Sequence, residues 1–151
     1  MNAGVISDAL LPRCRDKFLG VYASDRLPCV LPRRRPLLMV ANTDPHDKPG
    51  EHWVAMYFGR DGKGEYFDSL AQRPVKSIFK RYMNKNCSSW KTIGRQIQSI
   101  ISFYCGHYAT YYCLYRSLGY SMEELLRPFA HDTSLNDVLV HSIICHQLEI
   151  N

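Results

Sequence analysis

Apolar positions along this chain follow two rhythms: short unbroken runs of strand length, and longer stretches with a three-to-four-residue period. PLLMVAN (36–42) is an unbroken run, the pattern of a strand buried on both faces. EHWVAMYF (51–58) and GEYFDSL (64–70) flank GRDGKG, whose Asp-Gly pair predicts a hairpin. WKTIGRQIQS (90–99) reads as another strand. Helical patterning predicts a first helix over 1–17, capped by Ser7 or Asp8 and limited in regularity by Pro12. A second, over 74–85, starts on Pro74 and turns Val75, Ile78, Phe79 and Met83 inward.

A third helix begins at Cys105 and ends at Gly119, a natural residue for the position just past a helix. Ser121 with Glu124 forms a capping box for 122–129, and SLNDVLVHSIICHQLE (134–149) is a last amphipathic helix. Residues 18–36 carry three prolines and an arginine run and read as loop, as does the turn cluster NTDPHDKPG (42–50). With no repeat or linker, residues 1–151 form a single domain of mixed α+β class, helices packed on a small sheet.

Composition narrows the function classes. At 151 residues, 46% hydrophobic and 22% charged, the chain has the profile of a soluble globular domain. No window approaches the ~18 consecutive apolar residues of a membrane span. MNAGVISDALLPRCRDKF has an aspartate in its apolar stretch and no basic lead, so it does not read as a secretory signal. The six cysteines (14, 29, 87, 105, 113, 145) are irregularly spaced and include no CxxC pair. They are expected to be reduced thiols in an intracellular compartment, and no metal site is expected. A net charge of +5 permits an anionic partner without demanding one.

The candidate chemistry centres on Cys105. A thiol at the first turn of a buried helix sits among unpaired N–H groups at the positive end of the helix dipole, which favours thiolate. Gln98, seven residues upstream, can donate a neutral N–H to an oxyanion forming beside the sulfur. A nucleophilic cysteine needs a histidine base and the histidine needs an orienter. His107, two positions along the same helix, diverges from Cys105 by about 200° and cannot pair with it. His52, before Trp53, stands opposite Asp68 of YFDS if the hairpin is centred on Arg60, and shares its face if centred on Asp61. A centre between Asp61 and Gly62 would send the two to opposite faces, and the pattern does not choose among these registers.

The set HW (52–53), YFDS (66–69), QS (98–99) and CGHY (105–108) resembles the adenovirus-type cysteine proteases, found also in related DNA viruses, virophages and Maverick/Polinton transposons. FLGVYASDRLP (18–28) and LNDVLVHSI are similar to stretches of the same family, so the resemblance covers about residues 18–145. The SUMO/NEDD8-specific proteases of the wider clan share the order His-Trp, Asp, Gln, Cys-Gly. The seven-residue offset from Gln98 to Cys105 and the short chain favour the viral branch. Asp68 departs from the adenoviral glutamate and matches the transposon and virophage members.

The resemblance implies a papain-like core with the nucleophile at the start of a central helix. It implies His52 as general base and acid, Asp68 as its orienter, Cys105 as nucleophile, and Gln98 with the Cys105 N–H as oxyanion hole. Trp53 would pack over the imidazole region, and Gly106 would let the substrate backbone approach. It further implies cleavage of capsid precursors at Gly-Gly or Gly-Xaa bonds during virion maturation, in a host nucleus, viral factory or virion, by a monomer. DNA and a capsid-derived peptide bonded to a surface cysteine serve adenoviral members as cofactors. Here Arg33, Arg34, Arg35, Lys76, Lys80 and Arg81 would meet DNA, and Cys14, Cys29 or Cys87 the peptide. An isopeptidase for SUMO or NEDD8 and a non-catalytic DNA-binding capsid accessory are the alternative readings.

Overall fold

All six residues of β2 (Leu37–Asn42) are buried, as their composition requires. Leu38 and Val40 enter one apolar cluster, while Leu37, Met39 and Ala41 enter another on the opposite face of the sheet. The computed structural model describes residues 1–72, 74 and 77–149. Within them the elements are α1 (Ala3–Cys14), a 3-10 turn (Arg15–Lys17), β1 (Phe18–Tyr22), β2, β3 (Trp53–Phe58) and β4 (Lys63–Phe67). They are followed by α2 (Ser77–Asn86), β5 (Ser89–Thr92), α3 (Cys105–Ser117), α4 (Met122–Leu126) and α5 (Thr133–Glu149).

The strands lie in the order β1-β2-β3-β4-β5, with β1 and β5 parallel to their neighbours and the two inner pairings antiparallel. α1, α3 and α5 contribute to the larger cluster on one face, through Ile6, Leu10, Tyr108, Tyr112, Val140 and Ile144. α2 covers the other with Phe79, Tyr82 and Met83. The class is the expected α+β.

Several boundaries differ from the sequence expectation, each for a local reason. α1 is capped by Asn2, whose side chain accepts from the Val5 N–H, rather than by Ser7 or Asp8, which lie inside the helix. β1 occupies part of the stretch read as loop; its pairing with β2 stabilises a strand that its own pattern announces weakly. The strand expected over 90–99 is only β5, and the chain bends beyond Thr92. α2 begins at Ser77 rather than Pro74, and Val75 and Lys76 lie outside the described residues. α4 is shorter than 122–129, although Ser121 does accept from the Glu124 N–H. Gly119 follows α3 at φ +103°, a conformation that excludes a β-carbon at little cost only for glycine.

Two features set the position of α3. The β3–β4 pairing runs Phe58 to Gly64 through Ala55 to Phe67, which centres the hairpin on Asp61. The Asp61 carboxylate accepts from the Lys63 N–H at 3.0 Å, and Gly62 supplies the positive φ of 79°. Lower in the sheet, buried Glu65 of β4 accepts from Arg116 Nε at 3.0 Å and Nη2 at 3.2 Å, and from the Tyr112 hydroxyl. The Arg116 guanidinium also lies 3.9 Å from the centre of the Tyr57 ring. A carboxylate is thus buried only because three donors on α3 and a strand aromatic surround the ion pair.

Removing one partner of such a pair strands the other charge, so Glu65→Ala should cost roughly 3–5 kcal/mol in urea-monitored unfolding. A loss under about 1 kcal/mol, the size of an exposed pair, would show the pair to be dispensable.

Candidate active site

α3 starts without a capping side chain: Tyr104 precedes it and no acidic residue sits in its first turn. The N-terminal N–H groups are therefore available to whatever negative charge Cys105 carries. His52 lies just before β3, held by its carbonyl accepting from the Thr43 N–H at 2.9 Å, and Asp68 lies just past the end of β4. With the hairpin centred on Asp61 they stand on one face as diagonal neighbours, which is one of the two registers compatible with contact. His52 Nε2 donates to Asp68 Oδ1 at 2.7 Å, and the same oxygen accepts from the Leu70 N–H at 2.9 Å. Asp68 is 4% exposed, so little water competes for it.

With Nε2 taken by the carboxylate, Nδ1 is the ring nitrogen left for the sulfur, and His52 and Cys105 are near enough to shift each other's titration. Burial by itself pushes the Cys105 thiol up. The bond to His52, the backbone of Trp53, the imidazole charge and the backbone of Gly106 outweigh it and hold the thiol below its ordinary value. Burial likewise disfavours a charged His52, but the bonds to Asp68 and Cys105 raise it from 6.5 to about 9. Both shifts favour the thiolate–imidazolium form of the pair.

Gln98 is 1% exposed and sits in its own lattice of bonds. Its Oε1 accepts from the Ser69 hydroxyl at 2.6 Å, and its Nε2 donates to the Ser102 carbonyl at 3.1 Å and hydroxyl at 3.2 Å. The Ser69 carbonyl in turn accepts from the Ile97 and Gln98 N–H groups. The residue after Asp68 thus ties the segment carrying Gln98 to the end of β4. On its other side that segment meets α5. The Ile97 carbonyl accepts from Asn136 Nδ2 at 3.0 Å and from the Tyr108 hydroxyl at 3.1 Å, and that hydroxyl also donates to Asp137 Oδ1 at 2.9 Å. Ser69, Ser102, Asn136 and Asp137 were not singled out from sequence. Asn136 and Asp137 had a signal: two polar residues on the helix face that continues into Val140 and Ile144.

Trp53 stands beside the site with its Nε1 donating to the Met1 carbonyl at 3.1 Å. A β-carbon at Gly106 would meet Met1 Cβ at 3.0 Å, Trp53 Cδ1 at 3.3 Å and Ile6 Cδ1 at 3.5 Å. The missing side chain at Gly106 therefore makes room for the protein's own Trp53 and N-terminal segment. His107 packs edge-on to Tyr104 and beside His141, its Nδ1 buried without a partner, and burial first of all pushes it down to about 4. It takes no part in the Cys105 contact, as its position along the helix implies. All six cysteines are free: Cys14 and Cys113 are buried, Cys29 is exposed, and Cys87 is half-buried.

Among the other basic residues singled out, Arg33, Arg34, Lys80 and Arg81 are exposed and Lys76 lies outside the described residues. Arg34 donates to the Asp16 carbonyl, and Arg35 to the Pro32 and Arg34 carbonyls. α2 is tied to the same loop through the Tyr82 hydroxyl to Pro28 and Lys85 to Cys29. No helix among the described residues is long and apolar enough to cross a membrane.

No family model matches the sequence, and no curated protein matches it. Solved structures do. The pS273R protease of ASFV superposes with a TM-score of 0.51 at 24% identity, covering 70% of this chain and 43% of that one. ChlaDub1 from Chlamydia trachomatis gives 0.50 at 14% identity, covering 74% and 58%. The central domain of Lpg1148 from Legionella pneumophila gives 0.56 at 11% identity, covering 97% and 98%. The chain matches only about half the length of the first two. These likenesses show a fold shared with those three structures.

The poised pair has a measurable consequence. At pH 6 iodoacetamide should label Cys105 at least about tenfold faster than exposed Cys29, or than Cys145, whose Sγ lies 3.5 Å from His141 Nε2 but at no helix start. His52→Ala should abolish the difference. Equal labelling of the cysteines would show that the sulfur is an ordinary thiol.

Proposed function

We propose that the protein is a thiol endopeptidase in which Cys105, His52 and Asp68 act as a triad and Gln98 as oxyanion donor. The observation that carries the reading is the buried His52–Asp68 bond of 2.7 Å, with the imidazole in contact with a thiol at the start of α3. The Cys105 thiolate attacks the scissile carbonyl carbon, and the carbonyl π pair moves onto oxygen. The Cys105 N–H stabilises that oxyanion, and the Gln98 amide joins it by turning a hydrogen away from Ser102, to which both are donated without substrate. As the tetrahedral adduct collapses, the C–N bond breaks and imidazolium His52 gives its proton to the leaving amine, leaving a thioester. Water then attacks the thioester, His52 takes its proton, and thiolate departs with release of the acid. Asp68 holds the ring through Nε2 throughout and stabilises its charge whenever the ring is protonated.

The substrates we propose, from the resemblance of the four motif blocks, are capsid or structural precursors of a virus or transposon, cut at Gly-Gly or Gly-Xaa bonds. In support, the fold is shared with a viral protease. Release of SUMO or NEDD8 conjugates is the alternative for the same chemistry. The arginine loop and α2, tied together at Pro28 and Cys29, form one basic surface on which DNA can dock. Exposed Cys29 is then the cysteine open to a peptide partner, whereas Cys14 is buried.

Purified protein should cut a Gly-Gly-containing capsid-type peptide faster than it releases SUMO or NEDD8 from conjugates, and Cys105→Ala should be inert. Gln98→Ala should retain turnover reduced by about 10²–10³ in kcat, the usual loss of one oxyanion donor. Turnover surviving Cys105→Ala contradicts the mechanism. Cleavage should also decline as pH rises through about 9, where His52 loses the proton needed by the leaving amine.

A further inference from the structure

Asp68 and Ser69 adjoin in the chain and hold different members of the site. The Asp68 carboxylate accepts from His52 Nε2, while Ser69 bonds the Gln98 segment three times. Its carbonyl accepts from the Ile97 N–H at 3.0 Å and the Gln98 N–H at 3.1 Å, and its hydroxyl donates to Gln98 Oε1 at 2.6 Å. The two carbonyl bonds fasten the backbone whatever side chain stands at position 69. What the hydroxyl adds is the orientation of the Gln98 amide. Ser69 and Gln98 are each 1% exposed, so water cannot take the place of either partner.

The two ends of that amide are unequal in the reaction. The Ser102 carbonyl can only accept, which sets Nε2 on its side and Oε1 toward Ser69. A hydrogen turned to the oxyanion is withdrawn from Ser102, so the hold on the nitrogen end loosens as the adduct forms. The hold on the oxygen end does not. A bond received at an amide oxygen also polarises the group and strengthens donation from its nitrogen. We propose that Ser69 is a positioning residue for the oxyanion donor, its hydroxyl keeping Gln98 Oε1 in place while the amide turns from Ser102 to the developing charge. The inference rests on the thiol-endopeptidase reading and adds to it a residue that serves turnover only through Gln98. Asp68 and Ser69 then divide the work: the carboxylate fixes the imidazole, and the next residue's hydroxyl fixes the oxyanion donor.

Ser69→Ala keeps the carbonyl bonds and deletes the hydroxyl. On an internally quenched peptide with a central Gly-Gly, its kcat should fall at least about tenfold, and by no more than the roughly 10²–10³ of Gln98→Ala. KM should stay within about twofold. Added to Gln98→Ala, the same substitution should cost less than about twofold more, because the hydroxyl acts only through that amide. Ser69→Cys, close in size but a weaker donor, should fall between wild type and Ser69→Ala, and it carries the test if Ser69→Ala does not fold. Iodoacetamide labelling of Cys105 forms no oxyanion, so both variants should label at the wild-type rate. A loss of kcat below tenfold in Ser69→Ala, or losses at Ser69 and Gln98 that simply multiply, overturns the positioning role. Slowed labelling in either variant also overturns it, by assigning Ser69 to the placement of His52 and Asp68 instead. Wild-type Cys105 that labels no faster than Cys29 overturns the endopeptidase reading itself, and the role of Ser69 with it.

Discussion

The site depends on one buried contact, the 2.7 Å bond between the His52 imidazole and the Asp68 carboxylate. Each partner lies just beyond the end of a strand, so the bond exists only because β3 and β4 pair in a register centred on Asp61. A slip of one residue would turn one side chain to the opposite face of the sheet. The hairpin turn guards against that slip by local means, through the Asp61 bond to the Lys63 N–H and the positive φ of Gly62. Register, usually a matter of keeping apolar residues inside, here also brings an imidazole to the carboxylate that favours its charged form.

α3 is both core and chemistry. Its middle is buried among Tyr108, Tyr112 and Cys113, and its far end is fixed by Arg116 and Tyr112 on Glu65. Its first turn is left uncapped, with Cys105 half-buried at the mouth. An uncapped helix start is a local cost in stability, and dense packing behind it compensates. The same economy runs through the segment before it. Gln98 is held from the sheet by Ser69 and the Ile97 carbonyl from α5 by Asn136, so the stretch entering α3 is positioned from two sides.

Much of this was legible in the chain. The unbroken apolar run of β2, the Asp-Gly hairpin, and helices starting at Cys105 and near Ser134 follow from period and turn chemistry, and two of the motif blocks supply the His52 and Asp68 that bond. What was not legible depends on partners distant in sequence. β1 is a strand because β2 lies beside it; the cap of α1, by contrast, is local, with Asn2 accepting from the Val5 N–H where Ser7 or Asp8 was expected. The hairpin register was open among three choices because three glycines in GRDGKG leave the turn underdetermined. Gly106 looked like a gap for substrate, yet the space is taken by Met1, Trp53 and Ile6, which no spacing rule foresees.

The most direct test of the central bond is an NMR titration of the His52 ring. The account predicts an imidazole that titrates far above the ordinary 6.5, near 9, and that falls back towards 6.5 when Asp68→Asn removes the carboxylate charge. A His52 that titrates near 6.5 in the wild-type protein, unmoved by Asp68→Asn, would contradict it.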